Sequence, residues 1–207
     1  NPSPDSYRSP GYPLLVAFAM WLPGDRPWQH SLFYMQAALG ALSVALTMAI
    51  AHRWLSFAYA ISAGLLVAVW PHMVTLSGNI QTETLFGFTV LLSIYLLCRA
   101  QSSRQWIWYV LAGFSFAAAA LTNPAILPFP LLIGAFLFFS QRKHALLFIA
   151  CTLLLPLAWG ARGLTLDSDR SASGRLVENV LVGTDPEFTT LDTSEAVAAR
   201  LRFHEEF

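Results

Sequence analysis

Six long apolar segments, separated by very few charged residues, are the feature that most restricts how this 207-residue chain can fold. The chain is 56% apolar and 12% charged, whereas soluble domains usually carry about 25% charged residues. Apolar segments with few charges are typical of helices buried in lipid. The sequence therefore predicts an all-α, polytopic membrane helix bundle. Between Trp28 and Gly160 the charged residues are Arg53, Glu83, Arg99, Arg104, Arg142 and Lys143.

We predict six transmembrane helices, one from each apolar segment. Several segments are only about 16 residues long, shorter than the roughly 20 residues that span a bilayer comfortably. The alternative is a soluble protein with buried helices, but soluble helices need a polar face, and these segments show none. The predicted spans cover residues 31–51, 54–71, 83–98, 105–122, 125–140 and 145–161.

The polar segments outside the spans divide the chain into three predicted parts. Residues 1–30 form an external segment with a helix over 11–21, which is too short to cross a bilayer and is expected to lie in the interface. Residues 31–161 form the six-span domain, and residues 162–207 form an external tail with a helix capped by Thr193 or Ser194. Because the chain begins with Asn1 and lacks a signal peptide pattern, we interpret it as a piece of a longer protein.

Basic residues in the short loops predict the orientation. They fall on one face, which the positive-inside rule makes cytoplasmic, and every acidic residue then falls on the external or periplasmic face of a plasma or inner membrane. All seven tryptophans lie at or near the ends of apolar segments, where the membrane interface is expected. A net charge of zero and the absence of a basic cluster exclude nucleic acid as a partner. Cys98 and Cys151 are predicted to be buried thiols.

Glu83 stands at the start of the third predicted span, in SGNIQTETLFGFTVLL (residues 77–92). A carboxylate in the first turn of a helix is favoured by about 0.3–1 kcal/mol, and Thr82 is a suitable N-cap, so a helix-start acid is one interpretation. Acids near a membrane are costly and tend to be functional. The other interpretation is a catalytic or ligand-binding acid.

Further polar residues fall on the same predicted face as Glu83. A guanidinium at the outer interface can bind a phosphate through two hydrogen bonds, although arginine also extends toward lipid head groups without a specific role. A lone imidazole at the interface and an asparagine before proline are equally ordinary features. The candidate substrate-binding residues are Arg8, Tyr12, His72, Asn79, Gln81, Asn123 and Arg162.

Five segments, in their order along the chain, resemble the membrane glycosyltransferases of the GT-C superfamily. The resemblance is greatest to the protein mannosyltransferase and aminoarabinose transferase group, glycosyltransferase family 39 and its bacterial relatives. Arg8-Ser9-Pro10 and Arg162-Gly163 depart from the Arg-Pro-Pro and Arg-Asn of that family, which leaves the subfamily and acceptor open. The segments are RSPGYPLLVAF, MQAALGALSVALTMAIAHRW, WPHMVTLSGNIQTETLFGF, WYVLAGFSFAAAALTNPAILPFPLLI and LLPLAWGARG.

The resemblance implies a polyprenyl-phosphate sugar donor, a lipid, glycan or protein acceptor, and transfer on the external face with inversion at the anomeric carbon. It also implies an interfacial helix at residues 11–21 and a functional acid at Glu83, which stands in a Thr-Glu-Thr stretch as in the family. The general base of such proteins lies shortly after the first span. Asp5 precedes RSPGYP too narrowly to be assigned as that base.

The resulting hypothesis assigns the donor phosphate to Arg8 and Arg162 and places a sugar or acceptor beside Glu83. A divalent metal held by Glu83 and His72 is a weaker version, because one Glu and one His are too few ligands to define a site. The alternatives are a transporter or flippase and a catalytically silent scaffold. Transporters usually place ionisable groups in the middle of the membrane, whereas the mid-span polar residues here are neutral, among them Gln36, Thr47, Ser62, Thr89, Ser93, Ser115 and Thr152.

Overall fold

The computed structural model describes residues 9–22 and 27–164. Of the described residues, 9–159 belong to one compact unit. The described residues form α-helices joined by short loops and one 3₁₀ turn, Pro124–Ile126, with no strand among them, so the all-α prediction is confirmed. The helices are α1 (Gly11–Trp21), α2 (Trp28–Ala51), α3 (Phe57–Val69), α4 (Pro71–Ser77), α5 (Glu83–Ser103), α6 (Trp106–Thr122), α7 (Pro128–Ser140) and α8 (Arg142–Gly163).

The six predicted spans are all helical, but their lengths differ. By length and composition α2, α5 and α8 can cross a membrane, whereas α1, α3, α6 and residues 124–140 are shorter apolar helices. The 13 residues of α3 and of α7 extend about 20 Å, against a hydrocarbon core of about 30 Å. The prediction of a multi-pass protein is confirmed, and three of the six predicted spans contain a helix of spanning length.

The predicted interfacial helix over residues 11–21 has the bounds of α1. The predicted tail helix and the flexible segment before it lie outside the described residues, so the three-part division of the chain stays a prediction. Basic residues predicted in loops instead lie in helices: α5 continues past Arg99 to Ser103, and α8 already begins at Arg142. Two connections beside these basic residues are therefore short: residues 104–105 join α5 to α6, and Gln141 joins α7 to α8.

A proline separates α3 from α4. Trp70, just before it, has φ −66° and ψ 113°, the extended backbone that a following proline favours. Pro71 occupies the first position of α4, where its missing N–H removes no hydrogen bond. The second predicted span ended at residue 71, so α4 was not predicted. Its signal was a proline at the first position with Gly78 directly after the last turn.

Small residues allow α6 to approach α5 and α8 closely. A Cβ on Gly113 of α6 would lie 2.7 Å from the carbonyl oxygen of Phe148 on α8. Ser115 of α6 donates a hydrogen bond of 3.0 Å to the carbonyl oxygen of Thr89 on α5. Such contacts between small and hydroxyl side chains are typical of helices that associate in a membrane. Phe116, Tyr109 and Phe148, all fully buried, fill the core between these helices.

Large apolar side chains remain exposed along the outside of the bundle. On α7, Leu132, Phe136 and Phe139 are 70%, 78% and 90% exposed, and their spacing of four and three residues puts them on one helix face. An apolar face of this size is unfavourable in water but suited to lipid. The exposed residues therefore support the membrane location predicted from composition.

Candidate functional site

Glu83 is the first residue of α5, and its side chain is exposed. Thr82 occupies the N-cap position as predicted, but its side chain makes no capping hydrogen bond. The positive end of the α5 dipole therefore acts directly on the Glu83 carboxylate. Within the described part of the chain, Glu83 is the only acidic residue.

A cavity of about 270 Å³ lies between α2, α3, α4 and α5, and Glu83 is part of its wall. The break at Pro71 lets α4 contribute to this wall separately from α3. Except for Glu83, its lining consists of apolar, small or hydroxyl residues, so a charge at its edge acts in surroundings of low polarity. The lining residues are Ala37, Gly40, Ala41, Ser43, Val44, Val67, Ala68, Met73, Val74, Glu83, Thr84, Gly87, Phe88 and Leu91.

Two glycines keep this cavity open. A Cβ added to Gly40 on α2 or to Gly87 on α5 would have no heavy atom within 4 Å. Gly64 on α3 contrasts with them, because its Cβ would lie 2.2 Å from Cγ of Met48. Gly64 therefore serves helix packing, whereas Gly40 and Gly87 border empty space.

Tyr12 of α1 lies next to the start of α5. Its side chain is 8% exposed, and its hydroxyl has no hydrogen-bond partner among the described residues. Burial raises the pKa of Tyr12 above its ordinary value of 10.0, and the negative charge of Glu83 raises it further, while the backbone amide of Gln81 acts in the opposite direction. Tyr12 is therefore protonated at neutral pH, and its hydroxyl is a hydrogen-bond donor beside Glu83.

The loop before Glu83 is held by a buried amide of α2. Gln36, fully buried, donates a hydrogen bond of 2.8 Å from Nε2 to the carbonyl oxygen of Asn79, which also accepts one of 2.9 Å from the backbone N–H of Gln81. The Asn79 side chain donates a hydrogen bond to the carbonyl oxygen of Thr75 at the end of α4. Oε1 of Gln36 has no partner within the described residues. From the sequence, Gln36 was described only as a neutral mid-span residue. An amide inside a long apolar helix was the signal that could have predicted its structural role.

The start of α1 packs against the end of α6. A Cβ on Gly11 would lie 2.6 Å from Oγ1 of Thr122 and 2.8 Å from the carbonyl oxygen of Leu121, so only glycine permits this approach. The next residue of the α6 end is Asn123, whose side-chain oxygen accepts a hydrogen bond of 3.2 Å from the Ala125 N–H. Asn123 thus caps the 3₁₀ turn and is exposed.

The structure therefore brings Tyr12, Asn79, Gln81 and Glu83 together at one end of the bundle. His72 is exposed on α4. Among the described residues no group of three or more His, Cys, Asp or Glu side chains comes together. A metal held by Glu83 and His72 would need further ligands from elsewhere.

The structure does not test the roles of the two predicted phosphate-binding arginines. Arg8 falls outside the described residues. Arg162 is exposed in the last turn of α8, where a cation interacts favourably with the negative end of the helix dipole. Their roles toward a donor phosphate stay predictions.

Comparison with known proteins gives a family match over most of the chain. A family model described as dolichyl-phosphate-mannose-protein mannosyltransferase matches residues 7–159, which include Tyr12, Glu83 and the whole cavity lining. No curated protein matches the chain. No solved structure matches it either.

Proposed function

The chain belongs to the dolichyl-phosphate-mannose-protein mannosyltransferase family, and from this premise we propose that Glu83 and the cavity beside it form part of a substrate site. The family makes the chain a membrane glycosyltransferase that uses a polyprenyl-phosphate-mannose donor. The observation that carries the proposal is the position of Glu83, the one ionisable side chain in the wall of an otherwise uncharged cavity.

A carboxylate in that position suits sugar transfer. In the reaction, the acceptor hydroxyl oxygen bonds to the anomeric carbon, the bond from that carbon to the phosphate oxygen breaks, and the hydroxyl proton passes to a base. Glu83 accepts a hydrogen bond from a sugar or acceptor hydroxyl and orients it, or takes its proton. The low polarity of the cavity strengthens this interaction.

Tyr12 and Gln36 add two buried polar groups outside the cavity lining, Tyr12 close to Glu83 and Gln36 against the loop that leads into it. Both present a buried oxygen that has no hydrogen-bond partner among the described residues, and an unpaired buried polar atom costs roughly 1–3 kcal/mol. A bound hydroxyl or water would recover that energy. Asn79 and Gln81 then act mainly by fixing the loop that leads into Glu83.

Transfer on the external face, with inversion at the anomeric carbon, is the form of the reaction we propose. The basic residues at the other end of the helices support this orientation through the positive-inside rule. Inversion follows if the acceptor oxygen attacks opposite the leaving phosphate. Arg8 and Arg162 are proposed to stabilise that phosphate, because guanidinium groups bind phosphate oxygens bidentately.

The test is transfer of radiolabelled mannose from polyprenyl-phosphate mannose in membranes that contain the full-length protein. We expect Glu83→Gln to lower the transfer rate by about 100-fold or more, the lower range for loss of an acid–base group. Glu83→Asp, which keeps the charge at the helix start, should retain more activity than Glu83→Gln.

A helix-start role predicts a different result. Loss of the charge would then cost only about 0.3–1 kcal/mol of stability and leave the transfer rate per folded molecule unchanged. Thermal unfolding of the purified variants separates the two interpretations. Unchanged transfer in Glu83→Gln would refute the proposed site.

A transporter is the second candidate, and the structure offers little to favour it. Within the described spans the hydroxyl residues Thr47, Ser62, Ser93 and Thr152 donate hydrogen bonds to carbonyl oxygens of their own helices. They are therefore engaged in local backbone contacts and do not form an ion or proton path of the kind transporters use.

A further inference from the structure

A second cavity lies at the opposite end of α5. Its volume is about 430 Å³, and Arg104, the C-cap of α5, is in its wall. Because α5 begins at Glu83 and has 21 residues, Glu83 and Arg104 lie about 30 Å apart. We call this second cavity the basic pocket; it is lined by Arg104, Ser140, Gln141, Arg142, Lys143 and His144.

The basic pocket is strongly cationic. Three of its six lining residues carry a positive charge, and the only acidic residue of the described chain, Glu83, is at the far end of α5. The guanidinium of Arg142 lies 5.5 Å above the ring of Phe138. Within the described residues neither Arg104 nor Lys143 has an ion-pair partner, so their charges are not neutralised there.

Hydrogen bonds and ring stacking fix the positions of two residues that line the pocket, Gln141 and His144. The Tyr109 hydroxyl donates to Oε1 of Gln141 at 2.7 Å, and Nε2 of Gln141 donates to Oε1 of Gln101 at 3.2 Å. The ring of His144 stacks on Tyr109, with centroids 4.7 Å apart and planes at 11°. These contacts join α5, α6 and α8 and place the pocket between rigid elements.

Two backbone features add to the attraction for an anion. The first turn of α8, whose residues Arg142, Lys143 and His144 line the pocket, carries no acidic residue, so no carboxylate in that turn offsets the positive end of the helix dipole. Arg104, which lies in the pocket wall, has a φ of 53°, in the left-handed region that residues other than Gly and Asn rarely adopt. This conformation ends α5 beside the pocket.

We propose that the basic pocket binds the phosphate group of an anionic phospholipid. Ser140 in its wall directly follows the exposed face of α7 that contains Phe136 and Phe139, and acyl chains would lie along that face. Trp106, 61% exposed at the start of α6, places the pocket at the level of the lipid head groups. Basic pockets between transmembrane helices commonly bind such head groups.

The experiment uses the full-length protein in nanodiscs of phosphatidylcholine with a minor fraction of phosphatidylglycerol. Native mass spectrometry measures which lipid stays bound after release. We expect the wild type to retain phosphatidylglycerol preferentially, and the double variant Arg104→Gln/Lys143→Gln to lose that preference by roughly 30-fold, at about fivefold per basic residue.

The matched control is Arg53→Gln/Arg99→Gln, which removes the same charge at the same end of the helices but outside the pocket. Arg53 donates to Ser102, and Arg99 lies 5.3 Å above the Trp108 ring. We expect this control to keep the lipid preference, and an equal loss in both pairs would overturn the proposal in favour of general surface charge.

Two further measurements keep the proposal testable if the pocket variant folds poorly. Arg104→Lys/Lys143→Arg preserves the charge and should retain phosphatidylglycerol. Inorganic phosphate added to the wild type should leave the lipid bound. Displacement of the lipid by free phosphate, or its loss in the charge-preserving pair, would contradict a lipid head-group site.

Discussion

Tyr12 shows how one side chain connects the interfacial helix to Glu83. Its hydroxyl is buried, without a hydrogen-bond partner among the described residues, and its raised pKa keeps it protonated near the carboxylate. An apolar residue of the same shape would avoid the cost of an unpaired buried hydroxyl. We therefore propose that the Tyr12 hydroxyl contacts a ligand, a role that packing alone would not require.

We expect Tyr12→Phe to leave the unfolding temperature unchanged or slightly raised, because the substitution removes only the unpaired hydroxyl. Mannose transfer at low donor concentration should fall by about 2- to 10-fold, the effect of one hydrogen bond. Tyr34→Phe is the matched control, since Tyr34 is 65% exposed on α2. Equal activity of the two variants would show that the Tyr12 hydroxyl does not contact substrate.

At the scale of helices, the sequence predicted which segments are helical but not how they meet. Helix α1 and the starts of α2 and α5 follow from apolar runs, prolines and Glu83. The cavity does not, because it depends on the break at Pro71 and on empty space beside Gly40 and Gly87. Tyr12 was predicted as a substrate-binding residue, but its position beside Glu83 was not predicted, since the two residues are distant in sequence and meet through helix packing.

A larger side chain in place of Gly40 or Gly87 can fill the cavity without disturbing the helices. We expect Gly87→Leu to abolish most transfer activity because its side chain enters the cavity, and to preserve folding because leucine favours a helix over glycine by roughly 0.8 kcal/mol. Gly160→Leu on α8 is the control, as its Cβ also meets no atom within 4 Å and it does not line the cavity. The assay is mannose transfer combined with thermal unfolding. Full activity of Gly87→Leu would mean that substrate binds elsewhere.

The described part of the chain is polarised along α5, with the acid Glu83 at one end and the basic pocket at the other. At the basic end α5 continues past Arg99 and α8 begins at Arg142. The connections from α5 to α6 and from α7 to α8 are one or two residues long, whereas residues 52–56, with Arg53, join α2 to α3. Short loops rich in basic residues favour the cytoplasmic side. The charge pattern could be predicted from the sequence. The pocket could not, because Arg104 and Lys143 come together only through the hairpin formed by α7 and α8.

The last prediction concerns which side of the membrane each end of α5 faces, and labelling of single cysteines can measure it. In a background with Cys98→Ala and Cys151→Ala, Ile80→Cys reports the Glu83 end, because Ile80 is 49% exposed, and Ser103→Cys reports the basic end, where Ser103 is also exposed. In sealed right-side-out vesicles we expect a membrane-impermeant maleimide to label Ile80→Cys at once and Ser103→Cys only after permeabilisation. The positive-inside rule is the physical reason. The reverse labelling would place Glu83 inside and refute transfer on the external face, while leaving the lipid site at the basic end to be decided by its own experiment.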